Sequence, residues 1–73
     1  MHINIEEDDI QYIERVKSLN AIHQYGSSVN QNLVRIYSKY NDDLPEIAAS
    51  SCCSSERKIF FVFFMQWYDT LTK

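Results

Sequence analysis

The side chains with most chemistry to offer are two cysteines and two histidines: Cys52, Cys53, His2 and His23. Adjacent cysteines can close only a strained vicinal disulfide and lack the separation that a structural cross-link needs. Nor do they have the C-x-x-C spacing of thioredoxin-like sites. A thiol near a helix N-terminus can have a depressed pKa, so a thiol redox or metal module at Cys52-Cys53 is one reading of the chain. The preferred reading is two small side chains in a loop, since free cysteine behaves mostly as a small hydrophobe. Zinc held by His2, His23, Cys52 and Cys53 is disfavoured, because no spacing among them resembles a zinc signature and adjacent ligands sit awkwardly on a tetrahedral ion. His23 reads instead as a capping side chain near a helix C-terminus or as a plainly solvent-exposed one. No metal or other cofactor is expected.

Nucleophilic catalysis would need a nucleophile, a base and an oxyanion site to converge. Serines are plentiful, but no Gly-rich phosphate loop or nucleophile elbow accompanies them. The carboxylates gather at Glu6, Glu7, Asp8 and Asp9 and again at Asp42-Asp43, where helix-dipole and turn chemistry explain them. The expectation is a protein that is not an enzyme. The Glu6–Asp9 run could also dock a basic partner, although a net charge of −3 is weak for imitating nucleic-acid phosphates.

What remains is aromatic. The stretch Ile59 to Tyr68, IFFVFFMQWY, holds all four Phe, the single Trp and one of the five Tyr. Apolar runs of this length fit a buried strand or a buried helix. A strand would need neighbours on both faces, and no other segment offers one. On a helical wheel Lys58, Val62, Gln66, Asp69 and Lys73 form a narrow stripe. Phe60, Phe61, Phe63, Phe64, Trp67, Tyr68 and Leu71 cover the opposite arc, roughly 200° wide. A surface helix usually shows about 100° of apolar stripe, so this helix should be either the centre of its own small domain or partly buried against another chain.

The elements around it are helical. Asn4 with Glu7 resembles a capping box, the acidic run sits in the first turns, and Ile5, Tyr12, Ile13, Val16, Leu19 and Ile22 follow at helical spacing. Gly26 is a candidate left-handed stop, giving a first helix over 5–24. Ser28 with Gln31 is a second capping-box pattern, and Val29, Leu33, Ile36, Tyr37 and Tyr40 mark one stripe, with Asn41 as terminator. This predicts a helix over 29–40, joined to the first as an antiparallel hairpin by a short connection. Pro45 suits the first turn of a short helical segment near 45–50, and Ser54 or Ser55 can cap a last helix over 55–71. The predicted fold is all-α, one small domain of three helices over 1–73 centred on the aromatic C-terminal helix.

Composition sets the remaining bounds. A chain of 73 residues buries only about 60% of its unfolded surface and is marginal unless a cross-link, a metal or a partner helps. A pI near 5.1 and scattered basic residues disfavour nucleic acid. The sequence shows no signal-peptide pattern, no apolar run near the roughly 20 residues of a spanning helix, and no lipidation motif. An intracellular, cytoplasmic protein without membrane contact is the simplest expectation.

Tyr and Trp favour half-wet settings and interface hot spots. The expected role is therefore a structural or adaptor subunit packing an aromatic surface into a homo-oligomer or larger protein assembly. Phe63, Phe64, Trp67, Tyr68 and Tyr40 are the candidate contacts. Small size and aromatic richness would suit an accessory component of a phage or virus particle. The alternative is a small inhibitor or regulator that binds a host protein through the same surface or through Glu6, Glu7, Asp8 and Asp9.

Overall fold

A computed structural model describes residues 4–45 and 54–72. Among them are four helices: α1 (Glu7–Lys17), α2 (Ala21–Gln24), α3 (Ser27–Tyr40) and α4 (Ser54–Thr72). The all-α class holds. The short segment expected near 45–50 falls, beyond Pro45, outside the described residues, as do Cys52 and Cys53.

The core is built from three helices. Ile13 and Val16 come from α1, Leu33, Ile36 and Tyr37 from α3, and Phe60, Phe64 and Tyr68 from α4. The α4 residues recur every four positions, which stacks them on one line of the helix. Phe60 and Phe64 are fully buried, as is Ile13, so the C-terminal helix does sit at the centre of the domain. Around this cluster pack the partly buried Tyr12, Val29, Tyr40, Phe61, Phe63, Met65 and Trp67.

α1 and α3 run antiparallel. Lys39 at the end of α3 reaches Glu6 and Asp9 at the start of α1, and Asn32 bonds the hydroxyl of Tyr12 further along. The path between them differs from one continuous helix over 5–24. α1 ends at Lys17, where the Ser18 hydroxyl donates to the Arg15 carbonyl and the Ser18 and Leu19 amides close tightened turns. Serine and asparagine offer the backbone such local alternatives to helix. Asn20 then caps α2, its side-chain oxygen accepting from the Ile22 amide at 3.1 Å. Gln24 reaches back to the carbonyl of Lys17 and to that of Val16, which also accepts the Leu19 amide, and so helps to satisfy the acceptors at the helix end. Beyond the break the apolar spacing no longer faces the core: Leu19 is exposed and Ile22 is 80% exposed.

The expected caps also differ. Glu6, not Asn4, is the N-cap of α1, and its own side chain makes no capping hydrogen bond. Gly26 is no left-handed stop; at φ −65° it is the N-cap of α3. Ser28 lies inside that helix, so its capping box does not form. Asn41 ends α3 in extended backbone at φ −139°, its amide donating to the Tyr37 carbonyl at 2.9 Å. A side chain does there what a left-handed residue was expected to do.

Candidate interaction surface

Around the circumference of α4 the residues change in a regular order. Phe60, Phe64 and Tyr68 face inward and are buried. On one flank Phe61 and Met65 are half-buried, and on the other so are Phe63 and Trp67. Opposite the core lie the exposed Lys58, Ile59, Val62, Gln66 and Asp69. The polar stripe read from the sequence therefore faces solvent, but with two aliphatic side chains in it, each 52% exposed.

The aromatic arc is largely met inside the chain. Tyr37 is the hub, its ring centroid lying 5.0 Å from that of Trp67, 5.3 Å from Phe63 and 6.3 Å from Phe60. Trp67 also packs edge-on to Phe64 at 5.3 Å and lies 6.4 Å from Tyr40. On the other flank Tyr25 meets Phe61 edge-on at 5.2 Å. The Arg57 guanidinium donates to the Tyr25 carbonyl, and Lys58 lies over the Tyr25 ring. Edge-to-face contacts of this kind add about 0.5–1.5 kcal/mol each beyond area burial.

Of the five candidate contact residues, Phe64 is fully buried and Tyr68 is 4% exposed. The Tyr68 hydroxyl donates to Glu14 at 2.9 Å, and Lys17 stands over its ring. Burial first, then the bond to the Glu14 carboxylate, pushes the Tyr68 phenol up to about 12. Phe63 and Trp67 retain partial exposure beside Tyr37. Tyr40, also half-buried, is committed to a polar clasp.

That clasp binds the acidic N-terminal turn to α3. Asp9 is buried; its Oδ2 accepts from the Tyr40 hydroxyl at 2.6 Å and from Lys39 Nζ at 3.1 Å. The Tyr40 oxygen in turn accepts from the Glu6 amide at 3.0 Å, and Lys39 also bonds Glu6 Oε2 at 2.9 Å. The bond from Tyr40, outweighing burial, holds the Asp9 carboxyl below its usual range, with Lys39 adding to the effect. The bonds to Glu6 and Asp9 raise the Lys39 ammonium pKa. Burial and the Asp9 carboxylate raise that of Tyr40. Only Glu7 and Asp8 of the four acidic residues are exposed without a part in this network.

His23 is exposed, and His2 lies outside the described residues. Among the described residues no group of three His, Cys, Asp or Glu is placed to hold a metal ion, and no helix is long and apolar enough to cross a membrane. Neither Ile59 nor Val62 is among the contacts expected from the sequence, where Val62 falls on the narrow stripe opposite the aromatic arc. The available signal was two aliphatic side chains standing three apart on that stripe. No protein-family model matches this chain, nor does any curated protein or solved structure.

Proposed function

We propose that the chain is a non-enzymatic structural or adaptor subunit, and that it docks through the outer stripe of α4. The observation that carries this reading is the half-exposure of Ile59 and Val62 on a 19-residue helix whose opposite side is anchored in the core. A rigid helix presenting aliphatic side chains at i and i+3 is a common docking element, because its contact geometry is set before the partner arrives. Phe63 and Trp67 border the stripe and supply half-buried aromatic surface on one side. The acidic turn supports a regulator reading less well, because Glu6 and Asp9 are engaged by Lys39.

The test is photo-cross-linking in cells that produce the protein, with benzoylphenylalanine at position 62 and, as control, at Gln11 on the solvent side of α1. The expected result is a discrete adduct from position 62 alone, abolished by Ile59→Asp at unchanged helicity. No adduct, or equal adducts from both positions, would refute docking through this stripe.

A further inference from the structure

Resting on that reading, we propose that the occupant of the stripe is a second copy of this chain, lying antiparallel along α4. The argument is the layout of charge. Lys58 and Asp69 are eleven residues apart, about three turns, so they lie on nearly the same line of the helix surface. Between them stand the exposed Val62 and Gln66, while the exposed Ile59 lies about 100° round the helix from Lys58, along one edge of the stripe. A parallel copy would set Lys58 against Lys58 and Asp69 against Asp69. An antiparallel copy reverses the line, so that Lys58 of each chain meets Asp69 of the other at both ends of the seam.

The stripe is therefore complementary to itself in one orientation and repulsive in the other, and such charge patterns fix register and partner choice. Opposed helix dipoles favour the same orientation. The middle of the seam joins Val62 to Gln66 of the second copy, and Ile59 flanks each end beside Asp69 of the other chain. Asp69 already has an interaction within its own chain and Lys58 lies over the Tyr25 ring; the two carboxylate oxygens and the three ammonium donors can take further bonds. The seam is about 16 Å long at 1.5 Å per residue, and it buries less than the ~800 Å² per partner of a standard interface. The dimer is accordingly weak and reversible, populated toward millimolar protein and suited to contacts that are repeated in an assembly.

The experiment is sedimentation equilibrium from micromolar to millimolar concentration, with helicity followed by circular dichroism. The wild-type chain is expected to approach dimer mass at the upper end, and Val62→Asp to remain monomeric with its helices intact. Lys58→Glu and Asp69→Lys, taken singly, are each expected to weaken association about tenfold. Combined in one chain, they restore it to within about threefold of wild type. A wild-type monomer throughout, or a dimer that the double reversal fails to rescue, overturns the antiparallel seam. A wild-type monomer that still yields a discrete adduct with another protein at position 62 overturns self-pairing while leaving the docking reading in place; loss of both results removes both.

Discussion

Tyr40→Phe is the most informative single change, because one oxygen atom serves both ends of the clasp. It donates to Asp9 at 2.6 Å and accepts the Glu6 amide at 3.0 Å. A hydrogen bond to a charged group contributes about 1.5–3 kcal/mol net. Lys39 remains on Asp9 Oδ2 in the variant, so the carboxylate is not stranded and the lower end, about 1.5 kcal/mol, is expected. The Glu6 amide is exposed and recovers a water, adding little. For a domain of this size that loss lowers the midpoint of thermal unfolding by roughly 6–12 °C. Asp9→Asn should cost about 1–2 kcal/mol, and the double variant should show a coupling of about 1 kcal/mol, because both changes remove the same bond. Urea unfolding followed by the single Trp67, whose ring packs on Tyr37, gives the three free energies.

The pH dependence carries a sign. Asp9 is depressed in the folded chain, so the unfolded chain binds more protons in acid. The contribution of Asp9 is present above its unfolded value of 3.8 and is lost as pH falls through the folded one. Tyr40 is raised; its contribution is complete below pH 10.0 and is lost as pH climbs through the folded value. Tyr40→Phe should reduce the acid slope and remove the Tyr40 share of the alkaline one. A loss below about 0.3 kcal/mol, or strict additivity with Asp9→Asn, would show that the Tyr40–Asp9 bond contributes nothing to stability.

Two further outcomes follow from the core and from the helix starts. Phe64→Ala empties a fully buried site and should cost about 3–5 kcal/mol, a large part of the ~4–11 kcal/mol available to a chain this size. Trp67→Ala, at a half-buried position, should cost about half as much; equal losses in urea titrations would contradict the assigned burial. Gly26→Ser should stabilise by about 0.5–1 kcal/mol. Gly26 is an N-cap with φ −65° and no side-chain bond, and an added Cβ meets only the His23 carbonyl at 3.4 Å; a lower thermal midpoint would refute this.

Helix content and the inward face of α4 were legible because they depend on periodicity alone. Val16, Leu33, Ile36 and Phe60 are buried where their spacing puts them. The break after Lys17 was less legible. Leu19 and Ile22 continue the apolar pattern of α1, and only the local bonds of Ser18, Asn20 and Gln24 show that the backbone leaves the helix before reaching them. Gly26 and Asn41 read as left-handed stops because both residue types tolerate that conformation. Neither is needed as one, since among the described residues no backbone has positive φ and the chain closes its helix ends with side chains instead. The clasp could not be read at all: Asp9 and Tyr40 are 31 positions apart, and no local pattern marks one as the partner of the other.

The width of the aromatic arc was the sequence argument for an external partner, and the fold removes most of its force. An arc of roughly 200° exceeds what one neighbouring helix covers. Here α3 covers one side through Tyr37 and Tyr40, while Tyr25 covers Phe61 on the other and α1 meets Tyr68 through Glu14 and Lys17. Tyrosine serves both needs there, because its ring fills the core while its hydroxyl reaches a carboxylate at the edge. The case for a partner passes to the opposite side of the helix, where no intramolecular need explains Ile59 and Val62 at half-exposure. Two aliphatic residues would be unremarked on a loop. Here Val62 stands near the helical line that joins a cation to an anion three turns away, with Ile59 about 60° round from it, and the stripe they form has the same stripe reversed as its complement.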